Sequence, residues 1–246
     1  MDDSTDFDQH SLTESVILHL LPGFIIGLAY FILRKPISLL GYPSIMALMI
    51  SIAVALIPVE LGYLIFQGHK KNRRVSFEGI VAYRKRIPFW NYPVFVPVLF
   101  VGIGIVFTIL KPLDQIIRDT VFFWIPQMES GLQQGYEKAN LIKTYAMVAV
   151  FGMILGPIVE ELYFRGYLLP RMKWAGKYSP LIHSLLFALY HVFTPWMIVT
   201  RTIGMIPLAY AVKKKNLNIS IIVHVLINSI DVIMGVLFIM GMGKIT

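Results

Sequence analysis

Long apolar runs separated by short charged segments are the main pattern of this sequence. They cover roughly residues 15–33, 44–67, 93–110, 143–162, 179–194, 196–212 and 218–242. A helix needs about 20 mostly apolar residues to cross the hydrocarbon core of a bilayer, and most of these runs are close to that length. The pattern therefore predicts an all-α fold, a polytopic transmembrane helical bundle with about seven spans.

The number of spans is open between six and eight. The fifth and sixth runs are short, and only Thr194 and Pro195 separate them. They could each be a span, or they could be broken helices that form one re-entrant pair. The runs divide the chain into three N-terminal helices (1–110), an intervening segment (111–142) and a C-terminal core of four helices (143–246).

Lys and Arg are distributed unevenly between the two sets of loops, which indicates how the chain is oriented. The segments after the second, fourth and sixth runs are rich in both: Lys70, Lys71, Arg73, Arg74, Arg84, Lys85 and Arg86; Arg165, Arg171, Lys173 and Lys177; Lys213, Lys214 and Lys215. Because basic loops stay in the cytoplasm, we predict a cytoplasmic N-terminus. The segment 111–142 would then be external, and its mixture of apolar and charged residues predicts an interfacial amphipathic helix.

The composition excludes several classes of protein. Hydrophobic residues make up 57% of the chain and charged residues only 15%, whereas soluble domains carry about 25% charged residues. The absence of cysteine excludes disulfides, thiolate metal sites and a cysteine nucleophile. The basic residues behind the net charge of +8 lie at the ends of the apolar runs. We therefore expect the lipid bilayer, and no nucleic acid, as a partner.

Ionisable side chains inside apolar runs cost about 2.5–3.5 kcal/mol each to insert, so each of them suggests a function. Glu160 and Glu161 end the fourth run, just after Pro157, whose missing N–H leaves a carbonyl of the preceding turn without its helical partner. Glu161 lies one turn before Arg165 and can form an ion pair with it. Glu160 has no such partner and could act as a general base. Equally, both glutamates could belong to a structural network at the membrane edge.

The later runs contain three further polar residues that could join this site. His224 and Asn228 share one face of the last run, because they are four residues apart. His191 shares a face of the fifth run with Phe187. Taken singly, these motifs are also typical of structural hydrogen bonds between membrane helices. Together with Glu160 they supply a carboxylate, two imidazoles and an amide, which can activate water and stabilise an oxyanion.

Three of the four other ionisable residues in the runs are assigned simpler roles. Glu60 follows Pro58 and is expected to pair locally, with a place behind the site or on the path of the substrate as the alternative. His183 lies near a helix end, where structural roles dominate. Arg201 has a side chain long enough to reach the external interface. The sequence assigns no role to Asp231.

Three motifs, in this order, resemble the signature of the CAAX-protease and bacteriocin-processing family, which includes type II CAAX prenyl endopeptidases and Abi-like proteins. They are Glu160-Glu161-x-x-x-Arg165, Phe187-x-x-x-His191 and His224-x-x-x-Asn228. The resemblance covers residues 143–242 and implies an intramembrane endopeptidase. Its substrate would be a membrane-associated protein or peptide; a prenylated CAAX protein and a bacteriocin precursor are equally open.

The resemblance also implies a role for each catalytic residue. Glu160 would be the base that activates water, assisted by His191. His224 and Asn228 would hold the tetrahedral oxyanion.

The other implications of the resemblance concern supporting residues and cofactors. Glu161 and Arg165 would have a supporting, structural role. No cofactor is favoured, since the chain has no His-Glu-x-x-His motif. Zinc is the alternative, because one carboxylate and two imidazoles can ligate it. Its ligands would then be Glu160, His191 and His224.

Two other functions fit parts of the pattern. A membrane immunity or scaffold protein could keep the same fold without catalysis, although no motif residue is missing here. A transporter would also have broken helices and polar residues at mid-membrane, but the chain has no internal repeat and its polar residues concentrate in one half. We therefore expect a multi-pass integral membrane protease with its active site in the cytoplasmic half.

Overall fold

The structure, a computed structural model, consists of helices joined by short connections. It describes residues 7–82, 86–133 and 135–242. The helices are α1 (Leu12–Leu39), α2 (Ile45–Asn72), α3 (Asn91–Thr120), α4 (Lys138–Arg171), α5 (Ser179–Tyr190), α6 (Ile198–Lys214) and α7 (Leu217–Gly241). No strand occurs within the described ranges, so the predicted all-α fold is confirmed.

Each of the seven apolar runs corresponds to one helix. Five of the helices, α1, α2, α3, α4 and α7, are long and apolar enough to cross a membrane. The short fifth and sixth runs form α5, with 12 residues, and α6, with 17. A turn that contains Pro195 joins these two helices, which pack against each other. The predicted helical membrane bundle is thus confirmed, whereas the number of crossings beyond five stays a prediction.

The segment predicted as an interfacial helix, 111–142, is divided between neighbouring elements. Residues 111–120 are the end of α3, α4 begins at Lys138, and the described residues between them form turns. The prediction of a separate helix is therefore wrong. The helix continues beyond the apolar run because buried Asp114 accepts a hydrogen bond of 2.6 Å from Thr200 of α6, which satisfies a charged group on the packed face.

The predicted orientation stays a prediction, as does the external position of this segment. Two of the basic residues that support it, Arg84 and Lys85, lie outside the described residues. Residues 1–6 of the predicted N-terminal division and residues 243–246 of the predicted C-terminal core also lie outside the described residues.

Two helices contain wide, π-helical turns close to a proline and a glutamate. In α2 these turns span Ile52–Leu61, which includes Pro58, and in α4 they span Val148–Leu155, shortly before Pro157. A proline cannot donate the hydrogen bond of a regular turn, so nearby carbonyls accept from donors one residue further along. A short α-helical stretch, Gly156–Glu160, follows in α4 and ends at the predicted base, after which π-helical turns resume over Glu161–Leu168.

Close packing of α1 against the end of α5 joins the N-terminal helices to the C-terminal core. Gly23 permits this approach, since a methyl group there would collide with the carbonyl oxygen and the ring of Tyr190. On α4, the ring centre of Phe164 lies 4.7 Å from that of Tyr190 and 5.1 Å from that of Phe187. All three aromatic side chains are buried in one continuous core that includes residues of α1 and α2.

Candidate active site

A cavity of about 460 Å³ in the helical bundle brings the predicted catalytic residues together. Glu160, His191, His224 and Asn228 all line it. Much of the remaining wall is apolar and includes Leu48, Met49, Phe107, Phe193, Met197 and Met205. Such a volume is typical of sites that hold a small molecule or a few residues of a peptide. The catalytic roles of the four polar residues stay predictions.

Glu160 faces the cavity with few hydrogen-bond partners. Its side chain is 11% exposed, and its Oε2 lies 3.8 Å from Nε2 of His224, which is too far for a hydrogen bond. Its Oε1 lies 3.3 Å from the Tyr190 hydroxyl. No Lys or Arg of the described chain forms an ion pair with it. A carboxylate with free lone pairs at a cavity is suited to general-base catalysis.

A second carboxyl group, that of Glu60 on α2, shares the Tyr190 hydroxyl with Glu160. The hydroxyl oxygen lies 2.8 Å from Glu60 Oε1, closer than its 3.3 Å from Glu160 Oε1. Glu60 is fully buried, and its Oε2 has no hydrogen-bond partner among the described residues. Because the hydroxyl has a single proton, the shorter contact with Glu60 leaves Glu160 the freer of the two.

Glu161, the next residue along α4, has the opposite surroundings. It is fully buried and forms the expected ion pair with Arg165, one turn further along the helix and also fully buried. The same carboxylate accepts hydrogen bonds from two residues of α7, the Ser220 hydroxyl and, at 2.8 Å, the His224 ring. Glu161 therefore ties α4 to α7 and fixes the position of His224.

Hydrogen bonds fix the orientation of both histidine rings at the cavity. His224 Nδ1 faces the Glu161 carboxylate, and His191 Nδ1 lies 2.9 Å from the carbonyl oxygen of Phe187. Because these oxygens can only accept, we assign the ring proton to Nδ1 in each case. Nε2 of each neutral ring is then left as an acceptor.

Asn228 is oriented by the backbone of α4. Its Nδ2 donates to the carbonyl oxygen of Gly152 at 2.8 Å, within the π-helical stretch before Pro157. The second N–H of the same nitrogen is not used by any described residue, so it can donate to a ligand in the cavity.

The donor groups of the site do not form a ready metal centre. Zinc would need Glu160, His191 and His224 to converge on one point. Within the described ranges, no group of three or more His, Cys, Asp or Glu side chains is arranged to hold a metal ion. We therefore assign no step to a metal.

Four residues that the structure brings to the cavity or next to it had no assigned role in the predicted site. The sequence marks Glu60, Arg201 and Asp231 only as ionisable residues within apolar runs, and it does not single out Tyr190. One signal could have found Glu60, because it closely follows a proline in an apolar run, as Glu160 does. No comparable signal marks Tyr190, which looks like one aromatic residue among many.

Arg201 lies at the cavity, a position that the sequence did not predict. Its side chain lines the cavity and donates to the carbonyl oxygen and the hydroxyl of Thr194, at 3.3 and 2.8 Å. Thr194 belongs to the turn between α5 and α6, and this turn places it next to Arg201 in the first turns of α6. The pattern along a single helix cannot reveal a contact made by such a turn.

Comparison with known families agrees with the motifs. Residues 142–230 match the family model described as Type II CAAX prenyl endopeptidase Rce1-like. The match contains every motif residue from Glu160 to Asn228 and none of α1 to α3. No curated protein and no solved structure matches the chain. Over residues 142–230 the chain is therefore similar to the Rce1-like type II CAAX prenyl endopeptidases, the family that its motifs predicted.

Proposed function

We propose that this protein is an intramembrane endopeptidase that hydrolyses a peptide bond in a membrane-associated substrate. The observation that carries the proposal is the convergence of Glu160, His191, His224 and Asn228 on one cavity of the bundle. The family match supports the type of reaction. The five long apolar helices make the chain an integral membrane protein, so the substrate must reach the cavity at or within the bilayer.

Glu160 is the general base in this mechanism. A water molecule in the cavity gives a proton to the Glu160 carboxylate while its oxygen attacks the carbonyl carbon of the scissile bond. His191 presents an unprotonated Nε2 and orients the water by accepting its other hydrogen bond. Because Tyr190 donates its hydroxyl proton to Glu60, Glu160 keeps its lone pairs for the water.

His224 and Asn228 stabilise the oxyanion of the tetrahedral intermediate. Asn228 donates the N–H that Gly152 does not use. For His224 this role requires a second ring proton: Nε2 then donates to the oxyanion, while Nδ1–H stays bound to Glu161. The intermediate collapses when the C–N bond breaks, and the leaving nitrogen takes the proton back from Glu160. Removal of one oxyanion donor typically lowers kcat by about 10²- to 10³-fold.

A prenylated CAAX-type polypeptide is the substrate class that best fits the site. The polar residues occupy one part of an otherwise apolar cavity, so apolar side chains can be buried beside the scissile bond. The family whose model matches is named for prenyl endopeptidases, which supports the same class.

The proposal is tested by cleavage of a fluorogenic farnesylated CAAX peptide with purified protein in detergent. Wild-type protein should cleave it, and Glu160→Gln should not. A parallel assay with a strong chelator, followed by zinc, addresses the expectation that no metal takes part. If the chelator abolished cleavage and zinc restored it, Glu160 would be a metal ligand rather than the base. If neither this peptide nor unprenylated membrane peptides were cleaved, the result would count against the proposal and favour a non-catalytic relative.

We also propose that the N-terminus is cytoplasmic and that the active site lies in the cytoplasmic half of the membrane. The absence of cysteine makes this measurable, because single substitutions can be labelled without background. Val75→Cys follows α2 and Ser130→Cys follows α3, both at exposed positions. In intact cells, a membrane-impermeant maleimide should label Ser130→Cys and spare Val75→Cys. The reverse pattern would invert the topology.

A further inference from the structure

The catalytic cavity contains a guanidinium group that the proposed mechanism does not use. Arg201 of α6 lines the cavity together with Glu160, His191 and Asn228. Its contacts with the protein are the two hydrogen bonds to Thr194 and a 3.5 Å contact with the sulfur of Met197. These contacts use only some of the N–H donors of a guanidinium.

Within the part of the chain that the structure describes, no carboxylate is in direct contact with Arg201, although those of Glu160 and Asp114 lie near enough to interact with its charge. Asp114, on the neighbouring helix α3, accepts the hydroxyl of Thr200 instead. Asp231 lines the same cavity but forms no ion pair with the guanidinium. By contrast, the buried guanidinium of Arg165 is paired with a carboxylate of its own helix. A guanidinium at membrane depth is costly to bury, and direct contact with a bound anion would lower that cost beyond what the more distant carboxylates provide.

We propose that Arg201 binds the free α-carboxylate at the C-terminus of the substrate. The inference rests on the proposed function, since it assumes a peptide in the cavity. A guanidinium presents a planar fork of donors that matches the two oxygens of a carboxylate. Apolar residues next to it, Phe193, Met197 and Met205, can receive the side chains of the last residues.

The size of the cavity gives this contact a consequence for specificity. About 460 Å³ holds only a few residues between the arginine and Glu160. Anchoring the C-terminal carboxylate would therefore set the cleaved bond at a short, fixed distance from the end of the substrate. Arg201 would be a specificity-determining residue, and the substrate class would be peptides with a free, apolar C-terminus.

The test uses two farnesylated CAAX peptides that differ only in ending with a carboxylate or a carboxamide. Binding is measured by fluorescence anisotropy to the Glu160→Gln protein in nanodiscs of neutral lipid, so that the result does not depend on cleavage. We expect the free acid to bind about tenfold more tightly, as one charge-assisted contact would give. Adding Arg201→Gln should remove this preference by weakening the binding of the acid.

Two further variants control for charge and for folding. Arg201→Lys keeps the charge but loses the planar fork, so it should keep part of the preference. Arg74→Gln removes an exposed arginine that pairs with Glu78 far along the chain from the cavity residues, and it should keep the whole preference. Thermal unfolding and gel filtration in detergent check that each variant is folded.

Equal affinity for the two peptides, or an equal loss for both in Arg201→Gln, would overturn the carboxylate site. So would a preference that disappears when the nanodiscs contain phosphatidylglycerol, because the guanidinium would then bind a lipid phosphate. Cleavage of both peptides by wild-type protein is followed in parallel. If both peptides were cleaved at the same rate, the proposed endopeptidase activity would be supported and the carboxylate site contradicted. If the acid bound more tightly but neither peptide were cleaved, the carboxylate site would be supported and the proposed function contradicted.

Discussion

Two adjacent glutamates on α4 have opposite surroundings, although both sit at the same depth of the bundle. Glu161 is bound by a guanidinium of its own helix and by a hydroxyl and an imidazole of α7. Glu160 has one hydroxyl at 3.3 Å and one imidazole nitrogen at 3.8 Å. The difference teaches that the neighbours, rather than the residue type, decide whether a buried carboxylate stabilises the bundle or stays available for chemistry.

The most direct test of this difference is a variant that removes the basic group of Glu160 without changing the shape of its side chain. Glu160→Gln keeps the size and most hydrogen bonds of the side chain but cannot take a proton from water. We expect kcat/KM for the farnesylated peptide to fall by about 10²- to 10⁴-fold, the usual contribution of a general base. The midpoint of thermal unfolding in detergent should be unchanged. Cleavage at the wild-type rate would show that the assigned base is wrong.

The complementary change removes one partner of the buried ion pair. Glu161→Ala or Arg165→Ala leaves the other charge buried and uncompensated, which typically costs about 3–5 kcal/mol of stability. Both side chains are fully buried, so little solvent screening reduces this effect. Thermal unfolding of both variants in detergent measures it. Unchanged unfolding in both would contradict a stabilising role for the pair.

A matched control is the ion pair between Arg74 and Glu78, which has the same four-residue spacing. The two side chains are 70% and 77% exposed. Exposed pairs contribute little, because water and salt screen them. The Arg74→Ala variant should therefore unfold at the wild-type temperature. This result would show that the stability lost in the Glu161→Ala and Arg165→Ala variants comes from the burial of their pair and not from its spacing.

The smallest expected effect concerns Glu60, which takes the Tyr190 hydroxyl away from Glu160. Glu60→Leu removes this acceptor, so the hydroxyl should turn to Glu160 and weaken it as a base. We expect kcat to fall about fivefold with little change in KM, which corresponds to one hydrogen bond of about 1 kcal/mol. Glu60→Gln keeps an acceptor oxygen and should restore the rate. Equal losses in both variants, or a loss that appears in KM, would mean that Glu60 only supports the packing.

Much of the fold could be predicted from the sequence. Runs of about 20 apolar residues admit few structures other than membrane helices, because the backbone must satisfy its own hydrogen bonds in lipid. All seven runs are helices in the structure. The end of α3 was predicted wrongly because hydropathy marks where apolar residues stop. A helix can continue past that point when a charged residue such as Asp114 finds a partner on another helix.

Within the site, the sequence was informative where both partners lie on one helix. The spacing of Glu161 and Arg165 predicted their ion pair, because residues four apart share a helical face. The contact of Tyr190 with Glu60 and Glu160 joins three helices, and no local spacing encodes it. The same is true of the turn that directs Arg201 to the cavity.

By itself, the sequence determined that this protein is an all-helical membrane bundle, and its motifs indicated which family its C-terminal half resembles. These properties depend on composition and on short spacings, because residues three or four apart lie on the same face of a helix. Only the tertiary structure decided that the motif residues line one cavity, that Glu60 and Arg201 join them there, and that Glu160 and Glu161 differ in their partners. Those features depend on how separate helices pack, and packing is fixed by contacts between residues far apart in the chain.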